Sequence, residues 1–330
     1  MLRSRRRPAP TPLPYHMFDR ARFGLEARDA RTLERIYHKS QERSWDGQEV
    51  LRALIERHGA PHVDAARRPA LARLFAVIMW GELAAWKVSA ALADELEPFE
   101  AKLAATSQAF DEARHFYVMH DYLDLLGAMP ERLDRAIERL LSQVMNANHL
   151  AKKLIGMQLM VEPVALSIFH VVRTLDIEPV LTGLMPYYQR DEARHVALGL
   201  KYLPAMIRQM STRERASLIS FQLRLLTSEL WGSVGLMRDY KALGIDPRDA
   251  VEVGRAKQKK ALDLLICEMG ITSKVPIELL DRYSGALMEV LLPFDDVPWR
   301  ECLRRSVRAA AWGKQPIDDA LADEIETPAA

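Results

Sequence analysis

The chain has 330 residues, of which 49% are hydrophobic and 28% charged, the balance of a soluble globular protein. It contains 46 Lys and Arg against 45 Asp and Glu, so the net charge of +1 creates no field that favours nucleic acid. The two cysteines, Cys267 and Cys302, are too few for a disulfide framework and too far apart for an iron–sulfur site. Composition therefore predicts a cytoplasmic protein that binds no nucleic acid.

No segment is predicted to enter a membrane. The longest apolar stretch, residues 74–93, is interrupted by Glu82 and Lys87, and the first thirty residues lack the apolar core of a signal peptide. Residues 1–14 combine four arginines with four prolines and predict a disordered basic tail, whereas residues 316–330 form an acidic tail. We expect one domain between them, over residues 15–315.

The dominant pattern from about residue 29 onward is helical. Leu, Ala and Met recur three and four residues apart, with almost no alternation of β-branched residues, which predicts an all-α protein. Helix-boundary signals divide the chain into eight to ten helices: Gly127 before Pro130, Asp176 before Pro179, the capping box of Ser211 and Glu214, and Asp246 before Pro247.

An internal repeat is the most informative feature of the sequence. The pentapeptide Asp-Glu-Ala-Arg-His occurs at 111–115 and again 80 residues later, at 191–195. Two glutamates in otherwise apolar helices, Glu82 and Glu162, are separated by the same 80 residues. Two matching pairs of helices are the simplest explanation of this repeat.

The repeated residues have the spacing of metal ligands. In Glu112-Ala-Arg-His115 and Glu192-Ala-Arg-His195 the carboxylate and the imidazole are three residues apart and lie on one helix face. A single buried glutamate is more simply explained by a salt bridge or a narrow polar stripe, because an unpaired buried carboxylate costs several kcal/mol. Two of them, each 30 residues before a Glu-x-x-His, indicate a metal site.

The 30-residue intervals predict two helical hairpins. Glu97-Pro98 lies midway between Glu82 and Glu112, and Ile177-Glu178-Pro179 lies midway between Glu162 and Glu192. Each arm then runs about 15 residues, or about 22 Å, to the turn and back, so the two ligands of a hairpin return to one level. Two such hairpins packed together bring four glutamates and two histidines to one height.

This set of residues resembles that of the ferritin-like di-iron and di-manganese carboxylate proteins. The fuller Asp-Glu-x-Arg-His motif is similar to that of bacterial multicomponent monooxygenase hydroxylases and acyl-carrier desaturases, and less closely to that of ribonucleotide reductase small subunits. The motifs cover roughly residues 70–205. The resemblance implies a ferritin-like four-helix bundle core, built from two helical hairpins, with extra flanking helices.

The resemblance also implies roles for individual residues. One metal would be held by Glu82, Glu112 and His115 and the other by Glu162, Glu192 and His195, with Glu112 and Glu192 bridging and Glu112, Glu162 and Glu192 taking part in catalysis. Asp111 and Asp191 would accept the free ring N–H of the histidine on the opposite hairpin, and Arg114 and Arg194 would neutralise the surplus negative charge. For the aspartates and arginines, simple solvation is the alternative interpretation.

The ligand types favour iron, with a mixed manganese–iron pair as an alternative, because carboxylates and imidazoles suit these metals better than copper or zinc. Pro163 follows Glu162 directly and cannot donate a hydrogen bond to the carbonyl of Leu159. We therefore expect a kink or a bulge at this ligand.

A mainly apolar pocket is expected at the metals. Residues one or two helical turns from a ligand face the same side, and they include Trp86, Phe116, Leu166, Tyr188 and Gly199. Such a pocket fits an O2-dependent oxidase or monooxygenase of a hydrophobic or aromatic small molecule. The chain has no Gly-x-Gly-x-x-Gly segment and no cysteine cluster, so a separate donor such as a ferredoxin or reductase is expected to supply electrons.

Two alternatives remain open at this stage. A radical-generating subunit would usually carry a tyrosine seven residues after Glu112, where this chain has Met119, and a ferroxidase or iron-storage protein would be shorter. The aryl-amine N-oxygenases place a third histidine where this chain has Tyr188.

We expect a homodimer. The basic run from Arg255 to Lys260 predicts a solvated helix face, with docking of an acidic electron carrier as the alternative.

Overall fold

The structure is a computed structural model that describes residues 31–97, 99–129 and 132–313. The predicted tails, residues 1–14 and 316–330, lie outside the described residues. Within the described ranges the chain is helical and contains no β-strand, which confirms the all-α prediction.

The helices follow one another through short connections. In chain order they are α1 (Arg31–Glu42), α2 (Gly47–His58), α3 (Arg68–Glu95), α4 (Phe99–Leu125), α5 (Arg135–Met145), α6 (Leu150–Gly156), a π-helical segment (Met157–Val161), α7 (Glu162–Leu175), α8 (Pro179–Gln209), α9 (Thr212–Gly235), α10 (Met237–Leu243), α11 (Pro247–Met269), α12 (Val275–Leu291) and α13 (Trp299–Trp312). There are more helices than the eight to ten predicted, because short ones such as α10 begin without a side-chain cap that the sequence would reveal.

Helix ends coincide with the signals read from the sequence. The Ser211 side chain accepts from the backbone N–H of Glu214, and the Glu214 carboxylate accepts from the backbone N–H of Ser211, a complete capping box at the start of α9. Asp246 caps α11 directly before Pro247. Gly127 has a φ of +65° just after α4, a conformation that glycine adopts without the steric cost of a side chain.

Both predicted hairpins are present. Helix α3 ends at Glu95 and α4 begins at Phe99, while α7 ends at Leu175 and α8 begins at Pro179. In the second turn Asp176 adopts the left-handed conformation, and the Glu178 side chain caps α8 by accepting from the backbone N–H of Leu181. The two hairpins contact each other through α4 and α8, and α3 contacts the π-helical segment.

A polar layer separates two buried apolar clusters along the hairpins. On α4 the buried apolar residues between 101 and 105 belong to one cluster and those between 118 and 123 to the other. On α8 the buried apolar residues between 196 and 207 belong to the first cluster and those between 180 and 188 to the second. Each Asp-Glu-Ala-Arg-His segment therefore lies between two apolar layers, which shield its side chains from water.

The expected distortion at Pro163 is present as the π-helical segment Met157–Val161, which ends immediately before Glu162. There the backbone N–H of Glu162 bonds to the carbonyl of Met157, five residues earlier. The extra residue in this turn rotates the chain between α6 and α7, and it sets the direction from which the Glu162 side chain leaves the helix.

The basic run on α11 is not a solvated face, so that prediction is wrong. Arg255 is 3% exposed and Lys257 is fully buried, and only Lys259 within the run is exposed. Arg255 forms ion pairs with Glu252 and Asp281, at 3.0 and 2.8 Å. Glu252, one helical turn earlier, and Asp281, on the next helix, make the burial of Arg255 possible.

Two stretches are long and apolar enough to cross a membrane by composition, Arg68–Glu95 and Leu150–Leu175. Their most apolar windows are 56% and 72% buried inside the protein. Both stretches carry a buried glutamate and form part of the helical core, which fits a soluble protein.

Candidate metal centre

The six predicted ligands meet in the polar layer between the two apolar clusters. They come from four helices and are each at most 4% exposed: Glu82 on α3, Glu112 and His115 on α4, Glu162 on α7, and Glu192 and His195 on α8. The structure thus brings together side chains that lie up to 113 residues apart in the sequence. We call these residues the six-residue cluster.

The His115 ring faces carboxylates with both of its nitrogens. Its Nδ1 lies 3.4 Å from Glu82 Oε2, 3.6 Å from Glu112 Oε2 and 3.2 Å from Glu192 Oε1. Its Nε2 lies 3.1 Å from Asp191 Oδ2, on the opposite hairpin. Nδ1 is therefore the nitrogen directed at the centre of the cluster.

The His195 ring is arranged in the same way. Its Nδ1 lies 3.0 Å from Glu112 Oε1, 3.2 Å from Glu162 Oε2 and 2.9 Å from Glu192 Oε2. Its Nε2 lies 3.5 Å from Asp111 Oδ2. The sequence repeat is thus matched by a repeat in the geometry of the site.

Two groups of candidate metal-binding residues share two carboxylates. One group consists of Glu82, Glu112, His115 and Glu192, and the other of Glu112, Glu162, Glu192 and His195. Within each group, one ligand atom per residue lies within 4.8 Å of the others. Because Glu112 and Glu192 belong to both groups, they are placed to bridge two cations.

Several atoms of the cluster have no hydrogen-bond partner although they are buried. They are Glu112 Oε2, His115 Nδ1, Glu162 Oε2 and Glu192 Oε1. A buried polar atom without a partner is costly, and a metal ion bound between these atoms removes the cost. Their convergence on one centre therefore fits a bound metal.

The charge of the region also fits two divalent cations. Six carboxylates, the four glutamates with Asp111 and Asp191, face two guanidinium groups, Arg114 and Arg194. When all are ionised the carboxylates exceed the guanidinium groups by four charges. Two divalent cations neutralise that excess.

Without metal ions, the pKa values of the cluster residues reflect the same excess of negative charge. Burial raises the pKa of Glu82 and Glu162 well above the usual range, and the charge of Glu192 raises both further. Burial opposes protonation of His115 and His195, but the surrounding carboxylates raise the pKa of both rings well above the usual value. The cluster therefore attracts positive charge.

Two aspartates and two arginines form a buried network at the edge of the cluster. Arg114 Nη2 donates to Asp111 Oδ1 at 2.5 Å and to Asp191 Oδ2 at 2.8 Å. Arg194 Nη2 donates to Asp191 Oδ1 at 2.6 Å and to Asp111 Oδ2 at 3.0 Å. Each arginine thus links both hairpins.

The first helix and the loop after it add two residues that the sequence analysis missed. Ser40 Oγ donates to Asp111 Oδ2 at 3.1 Å, and Trp45 Nε1 donates to Asp191 Oδ2 at 2.7 Å. The Arg114 guanidinium stacks 4.7 Å above the Trp45 ring. Neither residue lies within the repeat, so no spacing signal marks it in the sequence.

Two glutamines and a tyrosine complete the surroundings of the cluster. Gln108 Nε2 donates to Glu112 Oε1 at 3.2 Å and to Glu162 Oε1 at 2.8 Å, and Gln158 Nε2 donates to Gln108 Oε1 at 3.2 Å. The Tyr188 ring stacks on His115 with centroids 4.3 Å apart. Its hydroxyl donates to the backbone carbonyl of His115 at 2.7 Å, which fixes the position of the histidine on its helix.

A mainly apolar cavity of about 80 Å³ opens beside the cluster. This is several times the space that one water molecule needs. Its wall includes three glutamates of the cluster, and the rest comes mostly from aliphatic side chains of α3, α5, the π-helical segment and α7. The polar groups outside the cluster are Glu229 and Ser233 on α9 and Tyr240 on α10.

The structure places the predicted pocket residues elsewhere. Trp86 is 44% exposed, Leu166 is buried in an apolar cluster, and Tyr188 packs on His115. A side chain at Gly199 would place its Cβ 2.9 Å from the Cβ of Gln158, so this glycine permits a close helix contact. Phe116 packs at the edge of the second apolar cluster. None of the five lines the cavity beside the metal centre.

No protein-family model matches the chain, and no curated protein matches it significantly.

Proposed function

We propose that the chain is an O2-dependent di-iron oxidoreductase with a ferritin-like core, an oxidase or monooxygenase of an apolar small molecule. The observation that carries the proposal is the pair of four-residue groups that share Glu112 and Glu192 and open onto an apolar cavity. A Glu from each of two helices and a Glu-x-x-His from each of two others is the ligand set of ferritin-like dinuclear proteins.

The donor atoms favour iron or manganese over softer metals, because every ligand is a carboxylate oxygen or an imidazole nitrogen. Glu82 and His115 would hold one ion, Glu162 and His195 the other, and the two shared glutamates would lie between them. When loaded with two ferrous ions, the centre would supply electrons for the reduction of O2.

The surrounding residues orient the ligands. Asp191 and Asp111 accept from Nε2 of His115 and His195, which leaves each Nδ1 as the metal-facing nitrogen. The two arginines hold these aspartates ionised and at fixed positions. Gln108 positions Glu112 and Glu162 from the opposite side.

The cavity supports oxidation of an organic molecule. Its aliphatic wall excludes water from the face formed by Glu82, Glu162 and Glu192, and it offers a molecule of matching shape a site next to the metals. Passage of hydrated iron, as in storage proteins, would call for a polar route instead. Electrons would come from a separate donor protein or from the substrate.

The direct test is metal loading under anaerobic conditions followed by exposure to air. We expect about two iron ions per chain and O2 consumption in the presence of a reductant. His115→Ala or His195→Ala should lose at least one ion, whereas His120→Ala, which removes an exposed imidazole on α4, should keep both. Absence of bound transition metal from the loaded wild-type protein would overturn the proposal.

A particle-size measurement separates this function from storage. An oxidoreductase is expected as a monomer or, as we propose, a homodimer, whereas a mineral cage contains many subunits. A radical-generating subunit would instead show a tyrosyl signal in electron paramagnetic resonance after exposure to O2, with Tyr188 as the nearest candidate.

A further inference from the structure

The cavity beside the candidate metal centre contains one carboxylate that the six-residue cluster does not use, that of Glu229. We propose that the cavity binds a mainly apolar molecule with one protonated amine, whose ammonium group pairs with Glu229 while its carbon skeleton lies towards the metal centre. The proposal rests on the proposed function and specifies its substrate class.

Glu229 is placed to accept a donor from the cavity. Its Oε2 accepts from Gln258 Nε2 at 2.8 Å, and its Oε1 has no hydrogen-bond donor among the described residues. Gln258 is itself fixed, because the same Nε2 donates to the carbonyl of Met160 in the π-helical segment at 2.9 Å. The carboxylate is therefore held in place with one oxygen free.

No cation of the protein pairs with this carboxylate in the described part of the chain. Arg255, whose positive charge acts on Glu229, is itself paired with Glu252 and Asp281 at 3.0 and 2.8 Å. For this partly buried carboxylate the hydrogen bond from Gln258 replaces only part of the lost hydration. Burial accordingly raises the pKa of Glu229 to about 7. A ligand ammonium group at Oε1 supplies the missing partner.

The remainder of the wall selects against anions. None of the described residues that line the cavity is a Lys, Arg or His. Its acidic groups are Glu229 and three glutamates that bound metal ions would neutralise, so the uncompensated negative charge of the wall is that of ionised Glu229. A carboxylic acid or a phosphate would meet repulsion there and would find no cation to bind.

Neutral hydrogen-bonding groups lie next to Glu229 at the same end of the cavity. Ser233 Oγ donates to the backbone carbonyl of Glu229 at 3.2 Å, and the Tyr240 hydroxyl has no hydrogen-bond partner among the described residues. An ammonium group has three donors, so it can bind the Glu229 carboxylate and also donate to one of these hydroxyl oxygens. The aliphatic part of the wall, which includes Ile137, Leu140 and Leu141, accommodates the hydrocarbon portion.

The test is calorimetric titration of metal-loaded, anaerobic protein with three probes that share a six-carbon chain: hexylamine, 1-hexanol and hexanoate. We expect hexylamine to bind at least about tenfold more tightly than 1-hexanol, and hexanoate to bind most weakly. Glu229→Gln should abolish the preference for the amine and leave 1-hexanol binding within about twofold. Glu268→Gln removes an exposed carboxylate that pairs with Lys201 and should leave all three affinities unchanged.

A second variant tests the cavity without touching Glu229. Gly81 lines the cavity, and a Cβ there meets nothing within 4 Å, so Gly81→Leu can fill the space and should weaken amine and alcohol alike. Equal binding of amine and alcohol by the wild type, or an amine preference that survives in Glu229→Gln, would overturn the proposal. Metal content and O2 consumption of the same samples test the proposed function separately, because probe binding requires no turnover.

Discussion

Asp111 and Asp191 connect the two halves of the site, because each contacts the histidine of the opposite hairpin and both arginines of the network. Burial opposes their ionisation, but hydrogen bonds with His195 and His115, respectively, lower the pKa of Asp111 and Asp191. Both therefore remain ionised and can hold the histidines in the metal-binding orientation.

Replacing either aspartate by asparagine should keep the fold and weaken the metal site. An amide retains the shape of the side chain but lacks the charge that orients the histidine, so we expect metal affinity or activity to fall roughly 10- to 100-fold. Competition with a chelator measures the affinity. Asp121→Asn, an exposed position on the same helix as Asp111, is the control. Unchanged affinity and activity in both network variants would contradict the assigned role.

Glu229 gives a pH dependence with a defined sign. Its pKa is about 7 in the folded protein and lies near 4.3 in an unfolded chain, so between these values the folded state binds more protons. The free energy of unfolding should therefore decrease as pH rises from 5 to 8. The Glu229→Gln variant has no carboxylate to ionise, so its free energy of unfolding lacks this decrease. It should therefore be more stable than the wild type by roughly 1 to 3 kcal/mol at pH 8.

Urea unfolding of both proteins at pH 5 and pH 8 measures this difference. The six-residue cluster titrates in both proteins, so subtraction isolates the contribution of Glu229. A constant difference across the pH range would show that Glu229 is ionised as readily in the folded as in the unfolded state.

Contacts made by single residues were the least predictable part of the site. Ser40 and Trp45 reach the aspartates across 71 and 146 residues, and no periodicity links such positions. Glu229 and Gln258 meet only because α9 and α11 both pack near the π-helical segment. Arg255 was expected in solvent because its acidic partner Asp281 is on another helix.

At the scale of elements, the hairpins were predictable because their information is local. Equal arms around a proline-containing turn return two ligands to one level whatever the rest of the chain does. The repeat then identifies the inward-facing residues of both hairpins. The cavity was not predictable in this way, since its far wall comes from α9 and α10, whose sequences contain no part of the repeat.

The start of α8 depends on Glu178, which is 2% exposed. Its Oε2 accepts from the backbone N–H of Leu181 at 2.8 Å and from the buried Tyr122 hydroxyl at 3.1 Å. Glu178→Ala removes the cap and leaves that hydroxyl without a partner, at an expected cost of about 2 to 4 kcal/mol. Glu178→Gln keeps an oxygen acceptor and should cost less than about 1 kcal/mol.

Chemical unfolding of the single variants and of Glu178→Ala combined with Tyr122→Phe separates the two contributions. The double variant should be more stable than Glu178→Ala alone, because no buried hydroxyl is then left unpaired. Equal stability of the alanine and glutamine variants would show that the cap contributes nothing.

At the scale of the whole molecule, metal binding should stabilise the fold, because the cluster joins two hairpins from distant parts of the chain. At a free metal concentration of about 100 times Kd the gain is about 2.7 kcal/mol, which raises the Tm of a chain of this length by roughly 3 to 5 °C. Thermal unfolding with ferrous or manganous ion, compared with chelator-treated protein, measures the shift. The double variant His115→Ala with His195→Ala should lose most of it, and equal Tm values for loaded and metal-free wild type would contradict the prediction.

The position of Trp45 provides an optical signal for events at the metals. Among the six tryptophans it alone is not exposed, and its ring lies 6.1 Å from that of His115. Iron held by His115 would lie close enough to Trp45 to quench its fluorescence, whereas an external quencher such as iodide reaches the five exposed rings first. With iodide present, the remaining fluorescence comes mainly from Trp45. Its decrease would report iron binding and oxidation in real time, without any added label.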